Sequence, residues 1–232
     1  MTKKSLIALA VVATALAVGV GIATAAPGYT LFGDATIVSP GHNSAHAVQA
    51  SWSSTGAPYG GVNFAVPAGL TVNQVDNLAT DYQFTVGTCG GGSPRFVVDT
   101  GSGSINFYIG PPPGYNTCPP NTWLNTGNLA SPTNLVDASQ LGGSFYEPYS
   151  QVQADYGSLA VTGISLVVDG YAADQTAQFD NTQVNNATYT YEPNTPTSKD
   201  DCKNGGWQNL QRSDFSSFKN QGDCIQYVNT GK

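Results

Sequence analysis

The fold is decided by the stretch Arg95-Phe96-Val97-Val98-Asp99-Thr100-Gly101-Ser102-Gly103-Ser104-Ile105-Asn106-Phe107-Tyr108-Ile109. Its two outer parts, 95–99 and 104–109, are rich in β-branched and aromatic residues, some alternating with polar ones, which is typical of strands. Between them, residues 100–103 place two glycines among short polar residues, a composition typical of tight turns. The stretch therefore predicts an antiparallel β-hairpin.

Runs of the same kind recur along the chain, separated by turn residues. We expect further strands at 47–52, 61–66, 81–86, 151–156, 161–168, 177–184 and 187–191. Glu and Lys, which favour helices, are almost absent from this part of the chain. Roughly nine short strands predict an all-β fold, a two-sheet antiparallel β-sandwich that is jelly-roll-like. A parallel β-helix is the alternative, but the sequence shows no fixed repeat period.

The N-terminus has the organisation of a secretory signal peptide. Lys3 and Lys4 precede an apolar run at 6–22, and Ala23-Thr24-Ala25 fits the small-x-small pattern of a cleavage site. An uncleaved membrane anchor is the alternative, but an apolar run of about 17 residues is short for a membrane span. We therefore expect residues 1–25 to be removed and the mature protein to be secreted, extracellular and without a membrane span.

Charge is distributed unevenly along the chain. Residues 26–197 contain a single basic residue, Arg95, against eleven Asp and Glu, whereas residues 198–232 contain five basic and four acidic residues. Because an acidic body repels phosphate backbones, the composition argues against nucleic-acid binding.

The four cysteines all follow the signal region and predict disulfide bonds, because secreted chains meet oxidising conditions. Three pairings are possible. Cys89 with Cys118 and Cys202 with Cys224 are favoured, since each pair encloses a self-contained segment. Zinc binding is the alternative, but the sequence has no Cys-x-x-Cys pair and its two histidines lie far from the cysteines.

A polar segment with two prolines, residues 193–198, predicts an extended linker between a β-sandwich domain at 26–192 and a Cys-clipped appendage at 199–232. The appendage is too short for a core of its own. We expect one short helix in it, with Ser213 as the N-cap and Gly222 just past its end. Its apolar face would carry Leu210, Phe215 and Phe218.

The appendage resembles a Cys-framed C-terminal motif, C-K-x-G-G-W…F-K-N-Q-G-x-C, found at the ends of otherwise different secreted bacterial proteins. The fixed positions of the motif are present as Cys202, Lys203, Gly205, Gly206, Trp207, Phe218, Lys219, Asn220, Gln221, Gly222 and Cys224. The resemblance implies a modular secreted protein and no particular reaction.

The body resembles uncharacterised secreted bacterial β-sandwich proteins through the block 89–96, through Cys118 and Trp123, and through a late strand of the form Val168-Asp169-Gly170…Phe179-Asp180-Asn181. That strand is similar to the closing strand of jelly-roll carbohydrate-binding modules. The resemblance implies the fold, and such modules often hold a structural calcium ion near this strand. Because Ca²⁺ prefers oxygen ligands, the candidate ligands are Asp169, Asp180 and Asn181.

Two kinds of residue in the body suggest chemistry but also have a purely structural interpretation. Arg95 either clamps a ligand carboxylate or, as we favour, pins the loop that follows Cys89. His42 and His46 form a His-x-x-x-His pattern that presents two metal ligands when it lies on a helix. The residues around them, at 39–44, predict a surface loop instead.

No motif in the sequence assigns a reaction. Gly-x-Ser-x-Gly is absent, and so is the clustered Glu-x-Asp-x-x-Glu motif of β-jelly-roll glycosidases. Glycoside hydrolysis needs two neighbouring carboxylates, and the acids of this body are scattered singly. We therefore expect no catalytic residues, although acids from separate strands can meet in space.

Aromatic residues in polar loops are the best argument for binding, since sugar rings stack on exposed Trp and Tyr side chains. The alternative is that Tyr is simply favoured in strands. The candidate ligand-binding residues are Tyr115, Tyr146, Tyr149, Trp123 and Arg95. The sequence thus predicts a secreted, non-catalytic binding or surface-associated module for a polysaccharide or cell-surface component. Alternatives are a structural or interaction protein without a small ligand, and a divergent hydrolase.

Overall fold

The computed structural model describes residues 28–53, 55, 59–170 and 173–232. The predicted signal peptide, residues 1–25, lies outside the described residues. The elements, in chain order, are β1 (Tyr29–Phe32), β2 (Thr36–Val38), β3 (Ala47–Trp52), β4 (Gly60–Phe64), β5 (Leu78–Val86), β6 (Arg95–Asp99), β7 (Ser104–Tyr108), β8 (Leu124–Asn125), β9 (Leu135–Val136), β10 (Glu147–Pro148), α1 (Tyr149–Tyr156), β11 (Gly163–Val168), β12 (Gln175–Val184), β13 (Ala187–Tyr189) and α2 (Gln221–Thr230). Over these residues, the structure has no helix that is both long and apolar enough to cross a membrane.

Two antiparallel sheets form the body. The first has the strand order β1-β4-β11-β6-β7, and the second has the order β2-β3-β12-β5-β8, with β13 paired to β12. A separate two-stranded ladder joins β9 and β10. Both sheets bury apolar side chains in one core, which includes Phe96 and Phe107 from the first sheet and Phe84 and Phe179 from the second. The predicted two-sheet antiparallel β-sandwich is confirmed.

The hairpin at residues 95–109 is also confirmed. Strands β6 and β7 pair antiparallel, with Asp99 opposite Ser104. Thr100 closes the turn, because its N–H and its hydroxyl both donate to the carbonyl oxygen of Gly103, at 3.0 and 2.8 Å. The same register sets Arg95 opposite Tyr108 at the edge of the first sheet, where the candidate site is built.

Residues 151–156, which we expected to be a strand, belong to helix α1. The helix follows Pro148, which stands at its N-cap position, and its two buried side chains are Tyr149 and Val152. Side chains three residues apart lie on the same face of a helix, so both reach the core. The strand prediction is wrong here because so short a polar–apolar alternation is compatible with the two-residue repeat of a strand and with the 3.6-residue repeat of a helix.

The outer face of the second sheet carries a row of glutamines. Gln178 of β12 lies opposite Gln49 of β3 and Gln83 of β5. Gln83 Nε2 donates to Gln178 Oε1 at 2.6 Å, and Gln178 Nε2 donates to Gln49 Oε1 at 3.0 Å. These side-chain hydrogen bonds join three neighbouring strands in addition to the backbone ladder.

Both favoured disulfides form, Cys89–Cys118 and Cys202–Cys224. The first packs against the main core. The second lies in a small separate cluster with Leu210 and Phe218, so the appendage has a small core of its own, contrary to the expectation from its length.

The helix of the appendage is α2, which begins at Gln221 and not after Ser213. Its N-cap is Asn220, whose Oδ1 accepts from the N–H of Asp223 at 2.9 Å. Gly222 lies in the first turn, and Gly231, with a φ of 71°, ends the helix. The predicted position is wrong because the buried side chains of 210–218 pack around the disulfide from an irregular segment, while the better capping residue comes later.

The appendage contacts the body at His46. The rings of Phe215 and His46 meet edge to face with centroids 4.9 Å apart. Glu192 holds the same histidine, because its Oε2 lies 2.7 Å from His46 Nδ1 and its Oε1 accepts from the N–H groups of Ala45 and His46 at 2.9 Å. Nearby, the N–H of Gln211 donates to the carbonyl oxygen of Asn194 at 2.9 Å.

Candidate ligand-binding surface

Four aromatic side chains, Tyr108, Tyr115, Phe145 and Tyr146, form one group at the edge of the first sheet, here called the Tyr108 cluster. The rings of Tyr115 and Tyr146 are stacked, with centroids 5.5 Å apart and planes inclined by 27°. Tyr108 lies 5.7 Å from Tyr115 and 5.9 Å from Tyr146. Phe145 lies 4.5 Å from Tyr146. Two of the predicted ligand-binding residues, Tyr115 and Tyr146, are thus brought together from different loops.

The cluster has an outer and an inner layer. Phe145 is 57% exposed and Tyr146 is 37% exposed, whereas Tyr108 and Tyr115 are buried. The outer rings therefore present an apolar face to solvent that the inner rings support, and exposed faces of this kind mark interaction sites. Sequence reasoning missed Phe145 and Tyr108, although the adjacent aromatic pair at 145–146 was an available signal.

The backbone holds two of the cluster residues in an uncommon conformation. Tyr115 and Tyr146 have φ values of 46° and 62°, in the left-handed region that bulky side chains rarely adopt. Tyr115 is fixed there by two hydrogen bonds, because its N–H donates to the carbonyl oxygen of Pro111 at 2.9 Å and its hydroxyl donates to that of Leu135 at 3.1 Å. Such strain persists only where the surroundings hold it, and it concentrates at functional sites.

Tyr108 is anchored by Asp137. Its hydroxyl donates to Asp137 Oδ2 at 2.7 Å. Burial raises the pKa of Tyr108, and the bond to the carboxylate raises it further. Burial also disfavours ionisation of Asp137, but hydrogen bonds from Ser139 and Tyr108 outweigh that effect and lower the pKa of Asp137. The pair is therefore a neutral phenol bonded to a carboxylate, which fixes the inner ring of the cluster.

A cavity of about 200 Å³ adjoins the cluster. Tyr108 and Tyr115 form part of its wall, together with Thr126, Leu129 and Asn134. Its lining combines apolar surface with hydroxyl and amide groups. A ligand on the aromatic face would therefore find hydrogen-bonding groups beside it.

Tyr149 does not take part in this surface. It is completely buried, and its hydroxyl donates to the carbonyl oxygens of Val72 and Val75 at 2.8 and 3.0 Å. The prediction that Tyr149 contacts a ligand is wrong, because no part of its side chain reaches solvent.

Trp123 belongs to a second polar and aromatic group, on the second sheet. Its ring stacks on that of His42, with centroids 5.0 Å apart and planes inclined by 11°. His42 Nδ1 lies 2.8 Å from Asp81 Oδ2, and Asp81 also accepts from Asn125 at 2.7 Å and from Asn181 at 2.8 Å. The sequence placed His42 in a loop, as the structure does, but nothing local indicated that it would meet Trp123.

Arg95 lies beside the Tyr108 cluster, and four of its five N–H donors are used within the protein. Its guanidinium makes a bidentate ion pair with Asp169, at 2.7 and 2.6 Å. It also donates to Asn106 Oδ1 at 3.1 Å and to the carbonyl oxygen of Gly92 at 3.0 Å. Asp169 occupies the bidentate position that a ligand carboxylate would need. This agrees with the interpretation favoured from the sequence, in which Arg95 pins the loop that follows Cys89.

Two of the three predicted calcium ligands, Asp169 and Asp180, already use their carboxylate oxygens in hydrogen bonds within the protein. Both oxygens of Asp169 accept from Arg95. Asp180 is completely buried and accepts from the backbone N–H of His42 at 2.8 Å and from the hydroxyl of Ser44. The third, Asn181, donates its side-chain N–H groups to Asp81 Oδ2 at 2.8 Å and to the carbonyl oxygen of His42 at 3.2 Å. In the part of the chain that the structure describes, no three or more His, Cys, Asp and Glu side chains are placed to hold a metal ion.

No family model matches the sequence. No curated protein matches it either. Among solved structures, one described as the structural analysis of an exo-β-agarase is similar to this chain, with a TM-score of 0.39 and 14% sequence identity. The similarity covers 74% of this chain and 26% of that chain, so the present protein spans about a quarter of the length of the structure it matches.

Proposed function

We propose that this protein is an extracellular, non-catalytic binding module and that its Tyr108 cluster binds polysaccharide from the environment or from a cell wall. The observation that carries the proposal is the exposed pair Phe145 and Tyr146, which rests on two buried and hydrogen-bonded tyrosines. Exposing two large rings side by side does not stabilise the fold. It does offer a binding surface for a ligand that has an apolar face.

Sugar rings have such a face, because their axial C–H groups form a flat apolar patch while their hydroxyls point outward. The C–H patch suits the exposed rings of Phe145 and Tyr146. The hydroxyls suit the polar groups in the wall of the adjoining cavity, among them Thr126 and Asn134. Because the inner rings are fixed in advance, little side-chain freedom is lost when a ligand binds.

Two further features support an extracellular location. The protein has two disulfides, and disulfides form and persist in oxidising compartments. Residues 1–25 have the pattern of a secretory signal peptide.

The test is retention of the purified protein on insoluble polysaccharides of different composition. We expect wild type to be retained on at least one of them and Phe145→Ala to be retained at least about tenfold less, which corresponds to about 1.4 kcal/mol. Tyr59→Ala is the matched control, because Tyr59 is also 57% exposed and contacts Phe32, outside the cluster. Equal losses in the two variants, or no retention of wild type on any glycan, would refute the proposal.

A second candidate function, hydrolysis, is favoured by one observation. The imidazole of His42 is held by Asp81 at Nδ1, and its Nε2 has no hydrogen-bond partner among the described residues. An imidazole oriented by a carboxylate is suited to accept a proton from water. Release of soluble sugars by wild type, lost in His42→Gln while retention on the polysaccharide persists, would identify this function.

A further inference from the structure

The outer face of the second sheet carries Gln49, Gln178 and Gln83 on neighbouring strands, here called the glutamine row. Each amide has two N–H groups and an acceptor oxygen, and the two hydrogen bonds of the row use only a part of them. Gln49 Nε2 and Gln83 Oε1 have no hydrogen-bond partner among the described residues, and neither atom is buried. The row therefore offers free donors to solvent at one end and a free acceptor at the other.

The three side chains of the glutamine row are held in place. A glutamine side chain has several rotatable bonds, so fixing it on a sheet surface costs conformational entropy. Each of the three is half-buried, and each is hydrogen-bonded to its neighbour across the strands. An array that is already fixed in this way loses little further freedom when a ligand binds to it.

Trp123 lies at the acceptor end of the row. The ladder of β8 ends at Leu124, and its register extended by one residue sets Trp123 beside Gln83. Trp52 packs against the main core and Trp207 against the core of the appendage, whereas Trp123 belongs to neither cluster. Its half-buried ring is supported instead by the imidazole on which it stacks. An indole held outside the core offers apolar surface beside the polar row.

The charge of the body selects against an anionic ligand. Residues 26–197 contain eleven acidic residues and one basic residue, Arg95, which is paired with Asp169. Asp81, two residues from Gln83 on the same face of β5, adds a carboxylate beside the row. The chemistry that matches this surface is therefore an uncharged ligand whose groups both donate and accept hydrogen bonds, as hydroxyls do.

We infer that the outer face of the second sheet binds an extended, uncharged polysaccharide chain, which lies along the glutamine row with one sugar ring on Trp123. Hydroxyls of the chain donate to Gln83 Oε1 and accept from Gln49 Nε2. The strands from β3 to β8 span about 14 Å, so more than one ring contacts the row. This surface shares no residue with the Tyr108 cluster, and the inference does not rest on the function proposed for that cluster.

The test is an NMR titration of the full chain with cellohexaose, laminarihexaose and mannohexaose, which are uncharged, and with hexagalacturonate, which is anionic. We expect at least one uncharged hexasaccharide to give saturable shifts in the side-chain amide resonances of the glutamine row. Hexagalacturonate should give none. The matching disaccharide should bind at least about threefold more weakly, because it leaves a part of the hydrogen bonds of the row unmade.

Two variants probe the two ends of the contact. Trp123→Ala removes an aromatic anchor, so the dissociation constant should rise at least about tenfold, and the variant should fold because the ring lies outside both cores. Tyr59→Ala removes an exposed ring elsewhere and should leave the dissociation constant unchanged. Gln83→Thr keeps a residue that favours strands and removes the free acceptor, so the dissociation constant should rise at least about threefold. Gln226→Thr, on the exposed side of α2, is its control.

Unchanged dissociation constants in both Trp123→Ala and Gln83→Thr would overturn the inference. So would the absence of saturable shifts with all three uncharged probes, or equal affinities for hexasaccharide and disaccharide. Binding of hexagalacturonate as tight as that of the uncharged probes would contradict the assignment of an uncharged ligand. Retention on an insoluble polysaccharide that is lost in Phe145→Ala and kept in Trp123→Ala, without shifts in the glutamine row, would refute this inference and support the Tyr108 cluster. The opposite pattern would support this surface and refute the proposal for the Tyr108 cluster.

Discussion

Asp81 and Asp180 lie directly opposite each other on β5 and β12, and the protein moves their pKa values in opposite directions. Burial raises the pKa of Asp180, and the neighbouring Asp81 adds to the rise. Burial acts on Asp81 too, but hydrogen bonds from Asn125, His42 and Asn181 outweigh it and lower the pKa of Asp81. As the pH falls, Asp180 therefore takes up a proton before Asp81 does.

This relationship predicts the acid response of an Asp81→Asn variant. A carboxyl whose folded-state pKa is lowered adds stability above its ordinary pKa of about 3.9, and that stability is lost as the pH falls through the folded value. We expect Asp81→Asn to unfold with about 1–3 kcal/mol less free energy near neutral pH, because an amide cannot accept all the bonds that the carboxylate accepts. Its free energy of unfolding should then fall less steeply than that of wild type below about pH 4.

Urea denaturation at a series of pH values measures both effects. Asp155→Asn is the control, since Asp155 lies exposed on α1 and, among the described residues, accepts only from Gln151. An Asp81→Asn variant with the same acid slope as wild type would contradict the assignment of the charge to Asp81.

Tyr108→Phe tests the anchor of the aromatic cluster. The variant removes the hydroxyl that donates to Asp137 and leaves the ring in place, so we expect a loss of about 1 kcal/mol in the free energy of unfolding. The pKa of Asp137 should rise, because one of the hydrogen bonds that lower it is gone. Titration of the Asp137 carboxyl by NMR measures the shift, and an unchanged pKa would show that the bond is not formed in solution.

Removal of the second disulfide, in a Cys202→Ser/Cys224→Ser double variant, should unfold the appendage alone. The two cysteines are half of the four buried residues of the appendage. A bridge between residues 22 positions apart contributes about 3 kcal/mol to the free energy of unfolding. Hydrogen exchange should show that the amides of α2 lose protection while those of the two sheets keep theirs. Protection retained in α2 would mean that packing without the bridge is sufficient.

Phe215→Ala tests the contact between the appendage and the body. The ring of Phe215 lies edge to face on His46, so its removal should shift the ring proton resonances of His46 and leave the melting temperature of the sandwich unchanged. Identical His46 resonances in the variant and in wild type would argue that the contact is not populated in solution.

The sandwich could be predicted from the sequence because its strands and turns are marked by patterns within short stretches of the chain. In the hairpin at 95–109, alternation and turn chemistry agree, and the pattern needs no knowledge of the rest of the chain. At 151–156 a similar alternation led to the wrong prediction of a strand. The segment is helical, with Tyr149 and Val152 both buried in the core, and this packing is not evident from the local sequence.

The site depends on contacts that no local pattern encodes. Tyr115 and Tyr146 stack although their loops are far apart in sequence, whereas Tyr149, three residues from Tyr146, is buried in the core. Composition suggested that tyrosines would bind, but only the fold separates the exposed ring from the structural one.

The glutamine row on the second sheet has a consequence for the conditions the protein tolerates. Gln49, Gln178 and Gln83 join their strands through amides, which carry no net charge and do not titrate. Ion pairs on a comparable surface weaken as salt screens them. This face of the sandwich therefore keeps the same cross-strand bonds in fresh water and in brine.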